Sequence, residues 1–165
     1  MKFWTILFLL LACNAWSQTA KQLLNEGNDL YQKGAFAEAE TKYNEVLVQD
    51  PNYEEAAFNL GDALYKQEKY AEAIEQYKQF ESMAEDKALK SDALHNMGNA
   101  YYQSEKYQEA VDAYKNALRQ NPSDEATRRN LSKSLKMLQQ QQNQDQKDNK
   151  DEDKDNKDDK KDNQN

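Results

Sequence analysis

Asn25-Glu26-Gly27-Asn28-Asp29-Leu30-Tyr31, Asn59-Leu60-Gly61-Asp62-Ala63-Leu64-Tyr65 and Asn96-Met97-Gly98-Asn99-Ala100-Tyr101-Tyr102 are three versions of one seven-residue stretch. Their glycines lie 34 and 37 residues apart. Nine residues beyond each glycine stands an aromatic (Phe36, Tyr70, Tyr107), twelve beyond an alanine (Ala39, Ala73, Ala110), and sixteen beyond a tyrosine (Tyr43, Tyr77, Tyr114). Pro51 and Pro122 each follow a glycine by 24 residues. Self-similarity at a period of 20–50 residues marks an array of small supersecondary units that bury their apolar faces against one another.

Outward from each glycine, apolar residues recur at helical spacing, as in Phe36/Ala39/Tyr43/Val46-Leu47 and Tyr70/Ala73-Ile74/Tyr77/Phe80. A glycine inside a helix costs about 0.5–1 kcal/mol relative to alanine, so its recurrence implies a packing reason. Antiparallel helices approach to roughly 8–10 Å, and small residues at the crossing permit the closer distance. Gly27, Gly61 and Gly98 on first helices and Ala39, Ala73 and Ala110 on second helices supply that crossing. The tyrosine stripes then read as core. The pattern predicts helices over 19–33, 36–49, 53–67, 70–84, 87–104 and 107–120, the fifth starting about a turn early because its junction carries three extra residues and no proline. Pro51 and Pro122 stop the helices before them. Glu26, where the other repeats have Leu60 and Met97, suits a first repeat with no outer neighbour. A seventh helix is expected from Ser123 to about Gln141, with Ala126, Leu131, Leu135 and Leu138 near one face to seal the array.

These offsets resemble the tetratricopeptide repeat, a helix–turn–helix unit of 34 residues. The resemblance implies an all-α, TPR helix-turn-helix solenoid, with three repeats (about 20–53, 54–90 and 91–124) and a C-terminal capping helix (123–138), together forming a body over 18–138. It also implies a concave groove, lined by the first helices, that binds a peptide or protein partner. Carried over by position, the groove residues are Asn25, Asn28, Tyr31, Phe58, Asn59, Asp62, Tyr65, His95, Asn96, Asn99 and Tyr102, with Leu24, Gln32, Glu55, Lys66, Asp92 and Gln103 around them. Asparagine carboxamides both donate and accept, so their ladder could hold an extended backbone. Chaperone-docking members of the family grip a terminal carboxylate with a basic clamp. Here the clamp positions hold Leu24, Asp92 and Asn96, although its asparagines have counterparts in Asn28 and Asn59. A neutral or basic segment is the better-matched ligand.

Composition narrows the function classes. The chain has 165 residues, 22 Lys+Arg against 30 Asp+Glu, and a net charge of -8. The 18–138 body is net acidic, with 21 acids and 15 bases, which argues against a nucleic-acid partner. Four glycines and two prolines are too few for a turn-dense β domain. The body has no cysteine, and His95 is the lone histidine, so neither a disulfide nor a multi-His metal site can form there. No nucleophile with an ordered base is legible, which points to a non-enzyme without cofactor, with His95 as a hydrogen-bonding groove residue.

The two ends differ from the body. Met1-Lys2 followed by the apolar run Phe3–Ala12 and small residues reads as a signal peptide over 1–17, since the run is too short to span a bilayer. Cleavage after Ser17 and a lipobox Leu10-Leu11-Ala12-Cys13, lipidated at Cys13, are both open; either exports the protein and leaves membrane association to Cys13 or to a partner. Gln139–Asn165 holds only Lys, Asp, Glu, Gln and Asn and is expected to be a disordered, solvated tail. Its Asp151–Asp155 run fails as a calcium loop, because Asn156 stands where the sharp turn wants glycine. The signal-like start, the three repeats, the run Asn121-Pro122-Ser123-Asp124-Glu125-Ala126-Thr127-Arg128-Arg129-Asn130-Leu131 and the tail together resemble the small tetratricopeptide proteins of Bacteroidetes aerotolerance (Bat) operons. That resemblance implies a periplasmic or membrane-associated partner of von Willebrand A-domain proteins. Two functions follow: an envelope adaptor that works through its groove, or a structural subunit or lipoprotein that joins a complex through its convex side or open end.

Overall fold

The computed structural model describes residues 19–162. Its seven helices are α1 (19–32), α2 (Phe36–Gln49), α3 (Glu54–Lys66), α4 (Tyr70–Met83), α5 (Lys87–Gln103), α6 (Tyr107–Gln120) and α7 (Glu125–Asp162). The first six follow the expected spans closely, and each helix packs on the next in chain order. The signal-peptide and lipobox readings fall on residues outside those described. None of the described helices is long and apolar enough to cross a membrane.

Each repeat turns from first to second helix by the same device. The residues seven beyond the three glycines, Gly34, Glu68 and Glu105, have φ of 78°, 61° and 59°. In each turn that residue's N–H bonds the carbonyl three back (Tyr31, Tyr65, Tyr102), and the next N–H bonds the carbonyl five back (Leu30, Leu64, Tyr101). This is a Schellman stop, which satisfies the last carbonyls of the first helix. Only the first repeat uses the glycine that the left-handed conformation favours.

Between repeats the chain turns differently. α5 has 17 residues against 13 in α3, because the proline-free junction lets it begin a turn early. Asp86 caps it by accepting from the N–H groups of Ala88 (2.7 Å) and Leu89 (3.0 Å). Asp124 caps α7 in the same way, through Ala126 (2.9 Å) and Thr127 (3.1 Å).

The core is built of alanines at the helix crossings and one tyrosine per repeat. Ala39, Ala56, Ala63, Ala73, Ala93, Ala100, Ala110 and Ala117 are fully buried, and Tyr43, Tyr77 and Tyr114 are each 1 % exposed. A Cβ placed on Gly27, Gly61 or Gly98 would lie 2.6, 2.7 or 2.6 Å from the ring of its repeat's tyrosine. Each glycine therefore exists to let that ring lie against the backbone of the first helix.

Three expectations need correction. Glu26 faces its own partner helix: its carboxylate pairs with Lys42 of α2 at 3.3 Å, so an ion pair replaces the apolar contact made by Leu60. The buried face of α7 is not Ala126/Leu131/Leu135/Leu138. Thr127 and Ser134 are the fully buried residues, Ala126 is exposed and Leu135 is 45 % exposed. Close packing selects small side chains there, and both hydroxyls are hydrogen-bonded, Ser134 Oγ to the Asn130 carbonyl at 3.0 Å. Finally, α7 does not end near Gln141 and the segment beyond does not lose structure at once. With no Gly or Pro after Pro122 to stop it, the helix runs on to Asp162, with residues 139–144 exposed.

Candidate functional site

On the face shared by the first helices, a hydrogen-bond ladder repeats. Lying on its glycine, each tyrosine ring points its hydroxyl at the next residue of the first helix: Tyr43 Oη donates to Asn28 Oδ1 (2.8 Å), Tyr77 Oη to Asp62 Oδ1 (2.6 Å) and Tyr114 Oη to Asn99 Oδ1 (2.7 Å). The same oxygens accept a second bond from the following repeat. Asn59 Nδ2 reaches Asn28 Oδ1 at 2.9 Å, Asn96 Nδ2 reaches Asp62 Oδ1 at 3.0 Å, and Asn130 Nδ2 reaches Asn99 Oδ1 at 2.9 Å. The tyrosine thus couples the two helices of a repeat, and the asparagine staples that repeat to the next. Burial pushes the Tyr43 hydroxyl up to about 12 and those of Tyr77 and Tyr114 further above the tyrosine range, so all three stay protonated donors.

Three hollows open above these rungs, one between each pair of successive first helices, with volumes of about 180, 250 and 160 Å³. Tyr31, Tyr65 and Tyr102 form their walls, each held edge-on by the first aromatic of its second helix: Phe36 at 5.2 Å, Tyr70 at 5.4 Å and Tyr107 at 5.5 Å between ring centres. Gln32, Lys66, Gln103 and Lys133 stand at the rims, exposed and without hydrogen bonds of their own.

The predicted site residues divide accordingly. Asn28, Tyr31, Asn59, Asp62, Tyr65, Asn96, Asn99 and Tyr102 come together along the hollows. Asn25, at the place of Asn59 and Asn96 but with no repeat before it among the described residues, is exposed at the start of the ladder. Phe58 leaves the groove: its ring packs edge-on against Phe80 (5.1 Å) and Tyr77 (6.0 Å) of α4, in a cluster with Ala57, Ala84 and Ala93. Leu24 is core, 3 % exposed.

His95 also turns away, toward the start of α7. Its Nδ1 lies 2.5 Å from Thr127 Oγ1, which donates in turn to Asp124 Oδ2. Burial works to raise the Asp124 carboxyl, but the Thr127 hydroxyl and the N–H groups of Thr127 and Ala126 hold it below its usual range. An ionised carboxylate only accepts, so the threonine proton points to Asp124 and His95 Nδ1 must carry the hydrogen. Burial lowers the His95 pKa, with Asp124 and Asp92 opposing. With Thr127 fully buried, the chain His95–Thr127–Asp124 ties α5 to the start of α7.

Asn130 was missed by sequence reasoning, though it lies 34 residues after Asn96 and so kept the repeat period. Lys133, its neighbour on the groove, follows Asn99 by the same interval.

Comparison with known proteins fits this geometry. Two tetratricopeptide repeat profiles match, one over residues 24–88 and one over 91–124. No curated protein sequence matches the chain. Among solved structures, the first TPR domain of Spaghetti (RPAP3) bound to an HSP90 peptide, SRMEEVD, is 24% identical with a TM-score of 0.68, covering 74% of this chain and 94% of that one. The first TPR domain of human RPAP3 is 22% identical with a TM-score of 0.69, covering 76% and 96%. The second TPR domain of human RPAP3, in complex with an HSP70 peptide, SGPTIEEVD, is 22% identical with a TM-score of 0.67, covering 73% and 98%. At these identities the likeness is one of fold.

Proposed function

The chain belongs to the tetratricopeptide repeat family over residues 24–88 and 91–124, and from that premise we propose that it is a protein-binding adaptor whose first-helix face takes an extended segment of a partner. The observation that carries this reading is the row of three tyrosine-walled hollows at the repeat period, each with polar groups at its rim. Tyrosine offers contact area with little conformational freedom to lose, and an extended chain can place successive groups in successive hollows. Two of the similar structures hold peptides ending in EEVD, which gives this use of the fold a precedent. The ligand here differs in charge, because Leu24 is buried, Asp92 is acidic and Asn96 is engaged by Asp62.

The N-terminal segment and the composition of the tail support a finer proposal: the adaptor is exported and works in a cell-envelope complex of the aerotolerance type, with von Willebrand A-domain proteins as partners, released after Ser17 or anchored at Cys13. A second reading, the structural subunit, draws on Leu135. It is 45 % exposed where a second helix of a fourth repeat would sit.

Gln32→Trp with Gln103→Trp would fill two hollows and leave every rung of the ladder intact. The adaptor reading expects this variant to lose the partner captured by crosslinking in intact cells, with an unchanged thermal melt. Retained capture, lost instead in Leu135→Glu, would transfer the function to the open end.

A further inference from the structure

The rungs of the ladder are not chemically equal. Asn28, Asp62 and Asn99 occupy one position in three repeats, and each gives a single oxygen to the same pair of donors, a tyrosine hydroxyl and an asparagine amide. What differs is the arm left over. In Asn28 and Asn99 it is an NH2 group, a donor. In Asp62 it is Oδ2, an acceptor bearing charge, and among the described residues nothing donates to it.

Asp62 borders both the 180 Å³ and the 250 Å³ hollows, so this residue stands where the first two compartments of the groove meet. Lys66, one turn further along α3, lines the larger hollow but makes no ion pair with Asp62; it is exposed and reaches solvent. The fourth position of the series holds Lys133, so the row reads neutral, acidic, neutral, basic. Asp62 is half-buried and its second oxygen takes no hydrogen bond from the described residues, so an incoming cation can pair with it without breaking either bond to Oδ1. Burial raises the Asp62 carboxyl above its usual range, while the bonds from Tyr77 and Asn96 and the more distant charge of Lys66 pull it back.

Resting on the adaptor reading, we propose that Asp62 is the specificity-determining residue of the groove, its free carboxylate oxygen seating a lysine or arginine side chain of the bound segment. The flanking NH2 arms of Asn28 and Asn99 face the carbonyls of the same segment. The preferred ligand is therefore an internal stretch of extended chain with a basic residue at its centre, opposite in charge to an acidic C-terminus. Charge complementarity of this kind sets partner choice more than raw affinity.

The molecule supplies its own control. Asp62→Asn installs the residue that the first and third repeats use for identical rungs, so both hydrogen bonds and the fold are retained while the charge is removed. Asn28→Asp does the reverse, adding a charged arm to the first rung.

A phage-displayed library of random peptides panned on the full chain, wild type and Asp62→Asn in parallel, tests the proposal. The wild type should enrich peptides sharing one lysine or arginine at a fixed place. A synthetic copy of the best binder should lose about tenfold or more in affinity toward Asp62→Asn. Replacing its basic residue by norleucine should cost the same, and the two changes together no more than either alone. Asn28→Asp should add a second basic position to the enriched motif. Enriched peptides without a basic residue, or equal binding to Asp62→Asn, would overturn the role of Asp62; if Gln32→Trp with Gln103→Trp abolishes their binding, the groove reading survives. Failure of every peptide to enrich would overturn both.

Discussion

α5 and α7 are nearly the same first helix, once with a second helix packed on it and once without. On the side facing the preceding repeat they match position for position at an interval of 34: Ala93 and Thr127 are both fully buried, as are Ala100 and Ser134, and Asn96 and Asn130 both staple backward. On the side that would receive a second helix they diverge. Leu94 gives way to Arg128, Gly98 to Ser132, and the 9 % exposed Met97 to the half-buried Leu131. A first helix therefore carries two independent faces, one inherited by every repeat and one needed only where a tyrosine ring must be admitted. α7 keeps the first face and solvates the second, and so closes the array among the described residues.

That comparison breaks most visibly at its glycine. Gly98→Ala sets a Cβ about 2.6 Å from the Tyr114 ring, and the ring is pinned by its bond to Asn99. A loss of roughly 1–3 kcal/mol, typical of overpacking, is expected in urea unfolding. The equivalent Ser132→Ala should change stability by less than about 0.5 kcal/mol, as exposed sites do. Equal effects would mean that the two faces are not separate.

The staples offer the next contrast. Asn96→Ala leaves Asp62 Oδ1 with only the Tyr77 hydroxyl and should cost about 1 kcal/mol, the net worth of a hydrogen bond. Asn25→Ala, exposed and without a rung to bond among the described residues, should cost almost nothing. Thermal melts of the two variants side by side measure the difference.

The docking of α7 has a pH signature. Because burial lowers the His95 pKa, the unfolded chain binds the proton first as the solution acidifies. Stability then falls with pH from about 6.5 downward and levels off beneath the folded pKa. His95→Asn should flatten this segment in urea midpoints followed from neutral pH to about pH 5. An unchanged profile would remove His95 from the docking of α7.

The smallest effect concerns the turns. Glu68 and Glu105 hold the left-handed conformation that Gly34 holds in the first repeat. Glu105→Gly should raise stability by about 0.5–1 kcal/mol through relief of that strain, offset in part by greater freedom in the unfolded chain.

Much of this was legible in the sequence. Gly27, Gly61 and Gly98, with the tyrosines sixteen residues on, fixed the helix pairs because contacts within one repeat recur at one offset. The groove was only partly legible. Asn59 and Asn96 read as ligand-binding amides, yet each is held by the rung before it; Phe58 and His95 read as groove residues, yet one fills the space against Phe80 and the other latches α7. Their periodic positions were right. Their neighbours in the adjacent helix, which decide what a side chain is free to do, leave no mark on the periodicity.

The sequence by itself determined the helical repeats, the close crossings and the acidic balance of the body, all of which follow from spacing along the chain and from residue type. Only the tertiary structure decided which polar atoms remain available. An amide or carboxylate has the same letter whether its partner is the next repeat or a ligand, and the distinction is made when two first helices come within hydrogen-bonding distance. On that ground the proposed groove draws on the second oxygen of Asp62 and the spare NH2 arms of Asn28 and Asn99, while the amides of Asn59 and Asn96 are already spent on the neighbouring rung.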